Sequence, residues 1–242
     1  MLDAITTAEA SVENLPISGR WPAKNPNILQ LYSLPTPNGQ KVSIMLEELG
    51  VEYEAHKVLL NDEGVTTPEF LSLNPNNKIP AIVDPDGPEG QAFGLFESGA
   101  ILSYLAEKAG KFQGATEAER WEVQQWLMFQ MGGLGPMCGQ LGFFLVFAGK
   151  EIEDKRPLER YLNEVKRLFD VIERRLEGRD WLAGSYSIAD MAVVPWLNCI
   201  EVFYNAAEVT GLRDRKNLSA YMDRFNERPA VKRGAIVPAH NW

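Results

Sequence analysis

Residues 31–50, LYSLPTPNGQKVSIMLEELG, begin as a strand and end as an amphipathic helix. Upstream, Ile28-Leu29-Gln30-Leu31-Tyr32 is an apolar run that predicts a mostly buried strand. Downstream, Val42, Met45, Leu46 and Leu49 recur at i, i+3, i+4 and i+7, and Gly50 stands where a helix stops. Between them Thr36 suits the N-cap, Pro37 the first helical position and Asn38 the first turn. Tyr53 to Val58 reads as a second strand. Strand, helix and strand in this space predict a βαβ unit with a parallel, right-handed crossover.

A short helical stretch near Pro68–Leu71 follows, then NPNNKIPAIVDPDG at residues 74–87. Ala81–Val83 is a short apolar strand, Asp86-Gly87 is turn chemistry, and Gly94–Phe96 is placed to return as a hairpin. ESGAILSYLAEKAG, residues 97–110, reads as a helix with Ser98 as N-cap and Ile101, Leu102 and Leu105 on one face. The expected order is β-α-β-α-β-β-α. From Glu117 to about Arg228 the spacing is helical, with one stripe at Leu162, Val165, Phe169, Ile172 and Leu176. SIADMAVVPWL, residues 187–197, is apolar nearly all round and predicts a buried helix opened by a Ser187/Asp190 capping box. The expected division is an extended arm over residues 1–26, an α/β domain over 27–112, and an all-helical domain with a C-terminal tail over 117–242. GKFQGAT, residues 110–116, marks the boundary.

Composition excludes several classes of function. The 24 Lys and Arg against 33 Asp and Glu give a net charge of −9, which disfavours nucleic acid and anionic membranes as partners. No apolar run approaches the roughly 20 residues that cross a bilayer. The N-terminal residues carry neither a basic nor a long apolar segment, so a cytoplasmic protein is expected. Two cysteines, Cys138 and Cys199, suit a reducing compartment as small buried side chains. Two histidines leave little for a His-rich metal site or a His-based triad, and no metal is expected.

The motifs sharpen this plan. NKIPAIVD with FESGAILSYLAEK resembles the thioredoxin-like domain of the glutathione transferases, and SIADMAVVPW resembles their central helix. TPNGQKVSIMLEELG is similar to the nu class and its disulfide-reducing relatives; ERPAVKRG at 227–234 and the N-terminal arm resemble its long-armed members. The resemblance implies glutathione as cosubstrate, a homodimer, and glutathione-dependent disulfide reduction. Glutathione-dependent cleavage of aryl ethers and a non-catalytic regulator of the same fold are the alternatives.

Residue by residue, the resemblance implies that the Ile79-Pro80 bond is cis, with the Ile79 backbone turned towards a bound peptide as an added strand would need. A helix N-terminus gathers unsatisfied N–H groups, and at Glu97-Ser98 these suit the γ-glutamyl carboxylate, with Ser98 as a further donor and Glu97 receiving the ammonium. Lys78 is the nearest cation for a glutathione carboxylate. Thr36 and Asn38 are the catalytic candidates: a thiolate at that helix mouth gains from the dipole and from a hydroxyl and an amide donor. Tyr32 and Ser33 are the fallback. With no cysteine near, disulfide reduction needs two glutathione thiols, and Asn14, Arg156 and Arg160 are candidates to hold them. Phe143, Phe144 and Phe147 in GQLGFFLVFAG, together with Tyr204, are expected to line a hydrophobic acceptor pocket between the domains.

Overall fold

The computed structural model describes residues 11–239. Strand β1 (Leu29–Ser33) is buried along its whole length, as a central strand must be. Helix α1 (Pro37–Leu49) starts where Thr36 Oγ1 accepts the Gly39 N–H at 3.3 Å, and it ends on Gly50 in the left-handed region, φ 66°. Its first turn closes only because residue 39 is glycine, since a Cβ there would lie 1.8 Å from the Leu34 carbonyl oxygen. β2 (Tyr53–Lys57) pairs parallel with β1, the arrangement the βαβ reading requires.

Helix α2 (Pro68–Leu73) is capped by the Thr67 hydroxyl. β3 (Ala81–Asp84) and β4 (Phe93–Phe96) form the expected antiparallel hairpin, and β3 also runs antiparallel to β1. The sheet order is β2-β1-β3-β4. Helix α3 (Ser98–Ala109) completes a thioredoxin-like βαβαββα chain. Ser98 is not its N-cap. Glu97 precedes the helix at φ 70° and its carbonyl accepts the Ile101 N–H at 2.9 Å, so Ser98 takes the first helical position.

The arm is not extended. Residues 1–10 lie outside the described residues, and beyond them the chain forms short 3-10 turns at Val12–Asn14 and Pro16–Gly19. Val12 and Ile17 are buried with Tyr32, Val58 and Phe70, and Trp21 stands edge-on to Tyr32 and Phe70. Apolar side chains among the prolines dock the arm on the sheet.

The second half is helical, as its spacing predicts. It comprises α4 (Glu117–Phe129), α5 (Gly135–Leu145), α6 (Arg156–Arg175), α7 (Ile188–Asn198), α8 (Ala207–Thr210), α9 (Lys216–Asn226) and α10 (Pro229–Gly234). Wider π turns at Gln130–Leu134 and Cys199–Phe203 extend α4 and α7. Val165, Phe169, Ile172 and Leu176 are buried, and α7 is buried apart from Trp196 and Asn198.

By packing, the chain divides inside α3 rather than after it. One compact unit runs to Ile101 and takes back the residues from Arg233 on; the other is Leu102–Lys232. The expected boundary at 110–116 follows the end of a helix, whereas Ser103 on α3 already accepts from Gln124 on α4. The tail returns because α1 holds it. Ser43 Oγ donates to the Gly234 carbonyl at 2.7 Å, Gln40 donates to the Ala235 carbonyl at 2.9 Å, and Arg233 pairs with Glu47 at 2.6 Å. A Cβ on Gly234 would lie 2.6 Å from Ile44 Cα, so the contact needs glycine. Residues 240–242 of the expected tail lie outside the described residues.

Candidate functional site

Strand register assembles the site. Tyr32 stands opposite Ala81, and Ala81 opposite Phe96. The segment after β1, the segment before β3 and the segment after β4 therefore leave one end of the sheet together. They carry Thr36 and Asn38, Ile79 and Pro80, and Glu97 and Ser98.

At the first segment, Thr36 is half-buried and caps α1, while Asn38 is half-buried in its first turn. Capping uses one lone pair of the Thr36 hydroxyl, and the O–H remains a donor. At the second, the Ile79-Pro80 bond is cis. Neither the N–H nor the C=O of Ile79 has a backbone hydrogen-bond partner among the described residues. That is the state of an edge able to accept an added strand. Lys78 is exposed, and its carbonyl accepts from the Asn74 amide at 2.5 Å.

At the third, Glu97 is exposed and Ser98 is buried. The N–H groups of Ser98, Gly99 and Ala100 precede the first i to i−4 bond of α3, which starts at Ile101. A residue absent from the sequence-based site joins them. Lys41, on α1, is fully buried, and its Nζ donates to Ser98 Oγ at 3.2 Å. Burial pushes the Lys41 ammonium down to about 7, and the charge of Glu97 acts against that shift. A signal for it existed: Lys41 shares a helix face with Ile44 and Met45, both buried.

The fallback pair is poorly suited to hold a thiolate. Tyr32 is fully buried, stacked on His56 at 4.7 Å, and burial raises its phenol well above the ordinary range. Ser33 is also fully buried, with its hydroxyl donating to the Leu34 carbonyl at 3.2 Å.

Among the described residues, no contact within the first unit brings the other expected residues to this sheet end. Asn14 is exposed in the arm's first 3-10 turn. Arg156 and Arg160 are exposed on α6 in the second unit, and Arg156 closes a fork on Asp154. Phe143, Phe144, Phe147 and Tyr204 do gather within that unit. Phe143 and Phe144 meet edge to face, Phe144 stacks on Tyr161, and Phe147 meets Tyr204. Phe203, not expected from the sequence, extends the cluster against Phe147. Phe143, Phe147 and Phe203 are exposed, which sets the cluster apart from core packing.

Cys138 and Cys199 are buried free thiols. Burial raises both, Cys199 to about 11, so neither serves as a nucleophile at neutral pH. Among the described residues no group of His, Cys, Asp and Glu side chains is arranged to hold a metal ion.

A thioredoxin-like domain with this site, followed by a helical domain, defines the glutathione transferase class. Residues 36–108 match the glutathione S-transferase N-terminal domain and residues 136–229 match its C-terminal domain. The chain is 49% identical over 173 residues to the disulfide-bond oxidoreductase YfcG of Escherichia coli, covering 71% of this chain and 80% of that one. It is 40% identical over 241 residues to the disulfide-bond oxidoreductase YghU of the same organism, covering 94% and 82%. A glutathione transferase from Pseudomonas putida, solved with one glutathione disulfide per subunit, superposes with a TM-score of 0.93 at 56% identity, covering 95% of this chain and 100% of that one. One from Burkholderia graminis, solved with two glutathione molecules per subunit, gives a TM-score of 0.93 at 55% identity, covering 98% and 99%. This chain belongs to the glutathione S-transferase family.

Proposed function

We propose that the chain is a glutathione-dependent thiol–disulfide oxidoreductase of the nu class, working in the cytoplasm as a homodimer. The observation that carries the reading is the convergence of Thr36-Asn38, Ile79-Pro80 and Glu97-Ser98 at one sheet end, in a chain whose similar structures hold glutathione. The residues suit that ligand. The α3 N-terminus and Ser98 take the γ-glutamyl carboxylate, Glu97 takes the ammonium, and the Ile79 backbone pairs with the cysteinyl backbone. The sulfur then lies at the mouth of α1, where the Thr36 hydroxyl and the Asn38 amide donate to the thiolate.

Because Cys138 and Cys199 are buried, the thiols must come from glutathione. The thiolate of one glutathione attacks a sulfur of the substrate disulfide, whose S–S bond breaks and whose leaving thiolate takes a proton. The thiolate of a second glutathione attacks the glutathione sulfur of the mixed disulfide. It releases the second substrate thiol and forms glutathione disulfide. Lys78 is the candidate cation for a glutathione carboxylate, and Asn14, Arg156 and Arg160 are the candidates to hold the second molecule.

The exposed aromatics Phe143, Phe147 and Phe203 favour a hydrophobic acceptor. They also keep a second reading, attack of the thiolate on an aryl ether carbon with release of the aryl oxide. Calorimetry with reduced and with oxidised glutathione tests the binding reading. It should give two reduced molecules, or one oxidised molecule, per chain. Saturation at 100 times the dissociation constant should stabilise the fold by about 2.7 kcal/mol. A melting temperature unmoved by millimolar glutathione would leave only the non-catalytic reading.

A further inference from the structure

The arm ends at a cavity that the glutathione reading does not use. Arg20, Trp21, Lys57, Leu59 and Glu63 line a space of about 450 Å³, open to solvent and large enough for a small molecule. All five residues belong to the first unit. The backbone at the end of β2 fixes the two arm residues. Trp21 Nε1 donates to the Lys57 carbonyl at 3.0 Å, and Arg20 Nη2 donates to the Glu63 carbonyl at 2.5 Å. The guanidinium also stands over the Trp21 ring, 5.5 Å from its centre. Lys57 is opposite Ser33, and the Val58 N–H donates to the Ser33 carbonyl at 3.0 Å. The cavity therefore lies at the sheet end from which the Thr36 segment leaves.

The cations here are held but not neutralised. Arg20 and Lys57 are exposed, and among the described residues neither is bonded to a carboxylate. Arg175, Arg213 and Arg215, by contrast, each pair with one. Arg20 spends an N–H on a carbonyl, so its planar fork is oriented and still has donors to give. Glu63 is exposed too, and its carboxylate offsets one of the two cations. The lining keeps one net positive charge, in a chain whose net charge is −9. Trp21 and Leu59 are half-buried and supply an apolar wall. An oriented guanidinium, a second cation and an apolar wall match an anion with an apolar body, and the fork matches a carboxylate.

We propose that this cavity is a second ligand site, for a small organic carboxylate. The Arg20 fork takes the carboxylate, Lys57 adds charge, and the apolar body lies along Trp21 and Leu59. The site is separate from the glutathione site, and the inference does not depend on the glutathione reading.

The test titrates the full chain with benzoate and follows the Trp21 indole N–H by NMR, assigned with a Trp21→Phe variant. Benzoate should move that signal saturably at millimolar concentration. Benzamide, the same body without the charge, should bind at least about tenfold more weakly, because it offers the fork no ionised acceptor. Inorganic phosphate, a charge without the body, should bind at least about fivefold more weakly than benzoate, because it gains nothing from the apolar wall. Arg20→Lys keeps the charge and loses the fork, and should weaken benzoate by at least about threefold. The three ligands are compared on wild type, so the test stands even where Arg20→Lys loosens the arm. Saturating glutathione should leave the benzoate affinity unchanged, and the titration reads the same whether or not glutathione binds. Each of four results overturns the proposal: no saturable shift at tens of millimolar, benzamide or phosphate binding as tightly as benzoate, Arg20→Lys binding benzoate as wild type does, or displacement of benzoate by glutathione.

Discussion

Among the described residues, the N-termini of α7 and α3 each have a buried ionisable side chain at hand, and the charges are opposite. At α7, in the second unit, Asp190 is a carboxylate at the positive end of a helix. Its Oδ1 accepts from the Leu182 N–H at 3.1 Å and the Tyr221 hydroxyl at 2.9 Å. Its Oδ2 accepts from the Ser187 N–H at 2.9 Å and the Ser187 hydroxyl at 3.2 Å. Four donors fill a carboxylate. At α3, in the first unit, the buried group is the Lys41 ammonium, of the same sign as the helix end it lies beside. The first arrangement is complete within the protein and serves stability. The second lies beside the proposed glutathione site, where Lys41 Nζ donates to Ser98 Oγ at 3.2 Å. Burial is total in both, so the sign of the charge, and not its depth, distinguishes the two.

The largest expected effect breaks the complete arrangement. Asp190→Ala strands two backbone N–H groups, the Tyr221 hydroxyl and Ser187, and should cost about 3–5 kcal/mol by urea denaturation. Glutathione affinity of the folded fraction should not change.

Lys41→Met tests the other buried charge through the pH dependence of stability. The sign of the pH dependence follows from the depressed lysine. Unfolded, Lys41 holds its proton to about pH 10.4, while folded it releases it near 7. Between these values the unfolded state binds more protons, so stability rises with pH. From pH 7 to 8.5 wild type should gain about 2 kcal/mol relative to Lys41→Met. Taking the difference between the two proteins removes the opposing contributions of Cys138, Cys199 and the buried tyrosines, whose raised values act at higher pH. A difference that stays constant with pH would show that folded Lys41 keeps its proton across this range, so that burial does not depress it.

The turn at α1 should give a smaller effect. Thr36→Ala should cost about 1 kcal/mol of stability as a lost cap. Thr36→Ala and Asn38→Ala should each lower turnover by about tenfold or somewhat more, because a diffuse thiolate gains less from each donor than an oxyanion does. The double variant should lose less than the sum of the two, since both donors serve one sulfur. Thr36→Ser should keep most activity. Normal turnover in both alanine variants would make the turn a cap alone.

The sheet and its loops were legible because periodicity and turn chemistry are local. The strand at Leu29–Ser33, the Thr36 cap, the Gly50 stop and the Ser187/Asp190 box each lie within a few residues of their signal. The rest depends on distant partners. Lys41 reads as a surface residue until α3 covers it, although its spacing to Ile44 and Met45 already put it on the inner face. The arm's prolines suggested an extended chain, while Val12 and Ile17 dock through contacts with Tyr32 and Phe70 that no local pattern records. The return of the tail to α1 depends on Gly234 fitting against Ile44, nearly the whole chain away.

The most direct test of the contrast exchanges the same atom at both helix ends. Ser98→Ala and Ser187→Ala each remove one hydroxyl from a helix N-terminus. Measured side by side by urea denaturation and by glutathione calorimetry, Ser187→Ala should lose about 1 kcal/mol of stability and no affinity. Ser98→Ala should lose about 1.5–3 kcal/mol of binding free energy, the worth of a hydrogen bond to a charged group, and less than 1 kcal/mol of stability. If instead Ser98→Ala binds glutathione as wild type does and only its stability falls, the Ser98 hydroxyl serves the fold alone, and the glutathione carboxylate is held elsewhere.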